Sequence, residues 1–231
     1  SSDLVETMLS NIAGLNALLN YAKNKRIERL LYISTSEVYG TKDDDEPFKE
    51  GQYGFIDLLK SRNSYSVGKR AAETLCVSYM KEYNLNTVIA RPCHTYGPTQ
   101  KIDDSRAMSQ FILNGINGEN IVMKSRGEQV RSYCYVLDCV TGILKILLDG
   151  KAGDAYNIAN KESILSIADA AKEIASIANT KVIFDIPTDV ELAGYNPVTR
   201  SVLDGGKLEK LGWIPCYNFN KGITETIKIM K

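Results

Sequence analysis

Leu30-Leu31-Tyr32-Ile33-Ser34-Thr35-Ser36-Glu37-Val38-Tyr39-Gly40 is a short apolar run that breaks into hydroxyls, a carboxylate and a glycine. Four continuous apolar residues read as a strand buried on both faces, as in a parallel sheet. The hydroxyl-rich exit then falls at the strand's C-terminal end, where open parallel sheets place their sites. Upstream, Leu4, Met8, Ile12, Leu15, Leu18, Leu19 and Ala22 recur at helical spacing and predict an amphipathic helix over 4–24. Downstream, residues 40–62 are polar and carry Gly40, Pro47, Gly51 and Gly54, which reads as an irregular surface loop. A helix over 63–83 follows, then a second buried strand, Asn86-Thr87-Val88-Ile89-Ala90, ended by Arg91-Pro92.

Further along, the pattern predicts helices at 105–117, 138–148 and 166–178, with short ones near 205–211 and 221–230. Strands are expected at 120–123, 155–159 and 181–185. This alternation argues an α/β fold on a parallel sheet with right-handed crossovers. Lys+Arg and Asp+Glu both total 28, so the chain lacks the basic excess that a nucleic-acid partner needs. The five cysteines are scattered without a Cys-x-x-Cys, so they read as small buried residues rather than disulfides or a metal site. His94 is the sole histidine, which leaves no histidine-rich metal centre. No apolar run approaches the roughly 20 residues of a membrane span, and no secretory leader opens the chain. It reads as soluble and cytoplasmic.

The chemistry lies in Asn63-Ser64-Tyr65-Ser66-Val67-Gly68-Lys69-Arg70. Tyr65 and Lys69 stand four apart on the expected helix and so share a face. A phenol titrates near 10 unaided and is a poor base at neutral pH, and an adjacent ammonium favours its phenolate. Such a tyrosine can take a proton from a sugar hydroxyl while the carbon beneath gives hydride to NAD. Alone, the pair occurs by chance on many helix surfaces. A hydroxyl at the end of the Leu30–Ile33 strand, able to bind the same substrate oxygen, gives it context.

With these runs in place the chain resembles an extended short-chain dehydrogenase/reductase of the NAD-dependent epimerase/dehydratase family. The matching segments are Ser34 to Gly40, Tyr65-x-x-x-Lys69, Arg91-Pro92-x-x-x-Tyr96-Gly97-Pro98, Arg131-x-x-x-Tyr135-Val136-x-Asp138 and Leu211-Gly212-Trp213-x-Pro215. The resemblance implies a Rossmann-like, NAD-binding core at 1–98 and 130–160. It implies a smaller α+β domain for the nucleotide-diphosphate sugar at 99–129 and 161–231. The family's glycine-rich turn, which holds the pyrophosphate at a helix N-terminus, is absent. The chain starts within a helix and without Met, so it reads as an N-terminally truncated piece that binds NAD poorly.

The same resemblance assigns roles. Tyr65 is the base, and Lys69 holds the nicotinamide ribose and depresses the tyrosine pKa. Thr35 binds the sugar's 4-oxygen, Ser34 lies on the cofactor side, and the backbone of Pro92 and Cys93 faces the nicotinamide. Arg131 and Arg200 serve the nucleotide and diphosphate, a duty suited to bidentate guanidinium contacts. His94 stands where many relatives carry a substrate-contacting Asn. Relatives that dehydrate carry Asp-Glu after the Thr; here Ser36-Glu37, with Arg62 and Arg200, resembles UDP-glucuronate decarboxylases. A 4-epimerase, needing Tyr65, Lys69 and Thr35, ranks close behind. The reading outside catalysis is a nucleotide-sugar-binding remnant. Helices 4–24 and 63–83 resemble those that pair in the family's homodimers.

Overall fold

The computed structural model describes residues 3–101, 103–186 and 200–231. Helix α1, Leu4–Leu9, runs through a π-helical turn at Ser10–Gly14 into α2, Leu15–Asn24. Strand β1, Leu30–Ile33, is followed by a 3₁₀ turn, Ser36–Tyr39, and a long loop leading to α3, Ser64–Tyr83. Then come β2 (Thr87–Pro92), β3 (His94–Tyr96), α4 (Ala107–Ile116), β4 (Ile121–Met123) and β5 (Val130–Tyr135). Next are α5 (Val136–Asp149), β6 (Ala155–Ile158), β7 (Ile164–Ser166), α6 (Ile167–Ala178) and β8 (Val182–Phe184). The described chain closes with β9 (Arg200–Ser201), α7 (Gly206–Glu209) and α8 (Phe219–Met230).

The residues fall into two compact units. The first comprises residues up to Cys93, Val140–Ile158 and Leu203–Ile214. Its parallel sheet runs β1-β2-β6, with Leu31 beside Val88 and Ala90 beside Tyr156. Helices α2 and α3 cover one face: Leu15, Leu19, Ala72, Cys76 and Tyr79 pack with Ile89 in a closed apolar cluster. Asn84, in the left-handed conformation at φ 56°, ends α3.

The expected burial of β1 on both faces is not met. Ile33 is 49% exposed and Leu30, Leu31 and Tyr32 are only partly buried. β2, inside the sheet, is the strand whose apolar run is buried throughout.

The second unit comprises His94–Cys139, Ala159–Val202 and Pro215 onward. Here β5 pairs in parallel with β3 and β9 and antiparallel with β7, while β4 and β8 form a parallel pair. Phe111, Ile121, Tyr133, Ile174, Phe219 and Ile223 anchor its core. Asp138 is buried and accepts from the backbone amides of Cys216 and Tyr217, both at 2.9 Å. The molecule is α/β with parallel sheets, as expected. Cys76, Cys93, Cys134 and Cys139 are buried thiols, but Cys216 is exposed, against the expectation for all five. Among the described residues no helix is long and apolar enough to cross a membrane.

Candidate active site

In the first unit the strand end meets the helix. Thr35 is extended (φ −157°, ψ 157°) and caps the 3₁₀ turn, its hydroxyl accepting from the Glu37 amide at 3.3 Å. Gly40 closes that turn at φ 70°, where an added Cβ would stand 2.3 Å from the Phe55 carbonyl oxygen, so a side chain is excluded there. The Arg70 guanidinium on α3 donates to the carbonyls of Val38 (2.6 Å), Tyr39 (3.2 Å) and Gly54 (2.9 Å). One helix residue thereby fixes the turn that presents Thr35, Ser36 and Glu37.

Tyr65 is half-buried on the first turn of α3, with its phenol beside the Thr35 side chain. Burial raises its pKa above the ordinary phenol value; the Thr35 side chain opposes this, and the Glu37 charge adds to it. Lys69 donates to the Ile33 carbonyl at 2.9 Å and lies 5.8 Å from the Tyr65 ring centroid. Burial lowers the pKa of Lys69, and Glu73 one turn on partly restores it. The Lys69 ammonium gives its hydrogen bond to the backbone of Ile33, and burial dominates the direction of the Tyr65 shift. Glu37 accepts from the Ser66 hydroxyl at 3.2 Å, so the carboxylate is tied to the residue next to Tyr65. Ser36 is buried in the same turn.

Ser34 is 4% exposed, and its hydroxyl has no hydrogen-bond partner among the described residues. An orphaned buried hydroxyl at the C-terminal end of a parallel strand fits a ligand group approaching from that end. Pro92 ends β2 and Cys93 is buried, with its amide donating to the Ile158 carbonyl at 3.1 Å. That amide is spent within the sheet, so the Pro92–Cys93 backbone has no free Cys93 N–H to offer. Arg62 is exposed on the 3₁₀ turn Ser61–Asn63 that leads into α3.

The second unit holds His94, Arg131 and Arg200. His94 on β3 is in register with Tyr133 of β5, two residues from Arg131, and so shares its face with both. Arg131 is buried, and desolvation lowers its pKa. His94 has surface open to water within crowded surroundings. Desolvation first, then the Arg131 and Arg106 charges, push its pKa down to about 4. Arg200 pairs with Val130, one residue from Arg131.

A buried charge cluster was missed from the sequence, where Arg91 ended a strand and opened a family-like segment but was given no partners. Arg91 is 1% exposed and pairs bidentately with Glu73 of α3 at 2.9 and 2.6 Å. It also donates to the Tyr39 hydroxyl (2.8 Å) and the Glu50 carbonyl (2.9 Å). The Tyr39 hydroxyl in turn donates to Asn157 at 2.6 Å. An arginine closing the apolar run Val88-Ile89-Ala90 was the available signal, because a charge in a buried strand has to find partners.

UDP-glucuronic acid decarboxylase 3 of Arabidopsis thaliana is 33% identical over 222 residues, which span 95% of this chain and 62% of that protein. The chain thus covers about three-fifths of that relative's length. UDP-glucose 4-epimerase of Thermotoga maritima, solved with UDP-glucose, superposes with a TM-score of 0.85 at 23% identity, over 98% of this chain and 71% of its own. The dTDP-glucose 4,6-dehydratase of Bacillus anthracis, solved in complex with NAD, gives 0.81 at 23% over 96% and 67%. At such identities these two structures speak for the fold. The profile of the NAD dependent epimerase/dehydratase family matches residues 1–159, and the chain belongs to that family.

Proposed function

We propose that this chain carries the proton-transfer groups of an NAD-dependent enzyme that modifies a nucleotide-diphosphate sugar through a 4-keto intermediate. The observation that carries the reading is the placing of the Tyr65 phenol against the Thr35 side chain at the strand end, with Lys69 one turn along the helix. Thr35 and Tyr65 hold the sugar's 4-oxygen, and Tyr65 takes the proton from that hydroxyl as the carbonyl forms. The raised phenol pKa makes Tyr65 a strong acceptor once ionised and a ready donor when the oxygen is reprotonated. NAD, when bound, supplies the hydride acceptor; Ser34, Tyr65 and Lys69 would hold it, and the orphaned Ser34 hydroxyl fits such a neighbour.

Between outcomes, decarboxylation is favoured. Ser36-Glu37 follows the threonine, and the Ser66 hydroxyl fixes the Glu37 carboxylate beside Tyr65. A 4-keto uronic acid is a β-keto acid: its C5–carboxyl bond breaks, the electron pair passes to the ketone oxygen, and CO₂ leaves. Thr35 and protonated Tyr65 stabilise that oxyanion by hydrogen bonds. Arg62, His94, Arg131 and Arg200 are proposed to bind the substrate, Arg131 on its nucleotide side and Arg200 near its diphosphate. Epimerisation needs only Tyr65, Lys69 and Thr35, all present, and is the second reading.

Incubating the complete gene product with NAD and a panel of nucleotide sugars, followed by mass spectrometry, tests this. Loss of the mass of CO₂ marks decarboxylation, and unchanged mass with altered retention marks epimerisation. Tyr65→Phe should lower kcat by at least about a hundredfold, in line with loss of a general base, while nucleotide-sugar binding is retained. Persisting turnover in that variant would remove Tyr65 from the base role. Calorimetry on the 231-residue chain addresses the cofactor: weak NAD binding is expected, and tight binding would overturn the view that its cofactor site is incomplete.

A further inference from the structure

Helix α3 sets Tyr65, Lys69 and Glu73 in a ladder with a spacing of four, so Glu73 is the natural counter-ion for Lys69. It is already committed, because both of its carboxylate oxygens accept from Arg91. Lys69 forms no ion pair with a carboxylate among the described residues. Its half-buried ammonium has the Ile33 carbonyl on one side and the face of Tyr32, 4.7 Å from the ring centroid, on another. Tyr32 is closer than Tyr65, whose centroid is 5.8 Å away.

We propose that Tyr32 is a positioning residue for Lys69, holding the ammonium beside Tyr65 with the face of its ring rather than with its hydroxyl. This rests on the catalytic reading of Tyr65 and Lys69 given above. An ammonium carries three donors on a flexible stem, and one carbonyl leaves it free to swing. The negative face of an aromatic ring adds attraction without demanding a carboxylate. Tyr32 and Ile33 are consecutive on β1, so one strand supplies both the ring and the carbonyl. The Tyr32 hydroxyl points elsewhere: it reaches Asn11 in the π-helical turn at 3.5 Å, the limit of a hydrogen bond. The groups facing Lys69 are therefore Tyr32 and the Ile33 carbonyl from β1, and Tyr65 and Glu73 from its own helix. Burial works against the ammonium, the Arg91 contact dilutes the help from Glu73, and the ring makes up part of the difference.

The test is an NMR titration of ¹⁵N-labelled lysine in the 231-residue chain, without cofactor or substrate, with Lys69 assigned by its loss in Lys69→Met. Tyr32→Phe keeps the ring and should leave the Lys69 midpoint where it is. Tyr32→Leu removes the ring and should lower the midpoint by about half a unit or more. Pentafluorophenylalanine at position 32 keeps the shape while removing the negative face, and should lower the midpoint likewise. It also covers the case in which the leucine variant fails to fold. An unmoved midpoint in the fluorinated protein overturns the proposal, as does a Phe variant that falls as far as the Leu variant. In the complete enzyme the alkaline limb of kcat should move to lower pH in Tyr32→Leu. An enzyme without turnover would refute the catalytic reading while leaving the titration result standing.

Discussion

At the scale of single residues, His94 shows how a local environment sets a pH response. Its folded pKa lies near 4, below the usual histidine value, because desolvation and the Arg131 charge both disfavour the imidazolium. The unfolded chain binds the extra proton more readily, so stability is fully present above about pH 6.5 and falls as pH drops toward 4. His94→Asn should flatten that part of the profile, as read from thermal melts between pH 4 and 7. Water at the exposed part of the ring screens the effect and keeps it modest. That Thr35, Tyr65 and Lys69 come together was legible in the sequence because spacing and strand-end position are local properties. The sign of the Tyr65 shift was not. It depends on how much water the fold removes and on which acceptor the ammonium chooses, and both are tertiary facts.

At the scale of elements, the Arg91–Glu73 pair joins β2 to α3, and the Tyr39 and Glu50 contacts add the 3₁₀ turn and the long loop. Removing one partner strands a buried charge. Arg91→Met or Glu73→Gln should therefore cost about 3–5 kcal/mol in urea unfolding. The double replacement Arg91→Met with Glu73→Leu should recover much of that, since neither charge is then left alone. The long helices and β1, β2 and β6 were legible because their apolar periodicity is strong. β3, β5, β7 and β9 were not: His94-Thr95-Tyr96 and Val130-Arg131-Ser132-Tyr133-Cys134-Tyr135 mix polar and aromatic residues, and β9 has two residues. Their strand character comes from partners distant in sequence, such as Arg200 beside Val130.

At the scale of the whole molecule, the first helices bear on association. Val5, Leu9, Leu18 and Tyr21 are each more than half exposed along α1 and α2. Exposed apolar side chains of this kind along a helical segment are suited to self-pairing. A homodimer through these helices and α3 is proposed. Sedimentation at tens of micromolar, roughly where micromolar interfaces are filled, should show it, and monomer alone would count against it.

The first unit is also assembled from three separate stretches of chain, and this has a consequence for synthesis. Leu203, bridged to Phe48, and Asp204, whose carbonyl accepts from Asn157, follow Cys93 by more than a hundred residues. At about 5–20 residues per second, the nascent protein waits on the order of five to twenty seconds for them. The Arg91 guanidinium does not share that wait. Glu73, Tyr39 and Glu50 all precede it, so its partners are already outside the ribosome when it emerges. The order of the chain thus lets the most expensive burial be satisfied first. The late-arriving segment then closes the unit with backbone carbonyls and with apolar side chains such as Leu203 and Leu208.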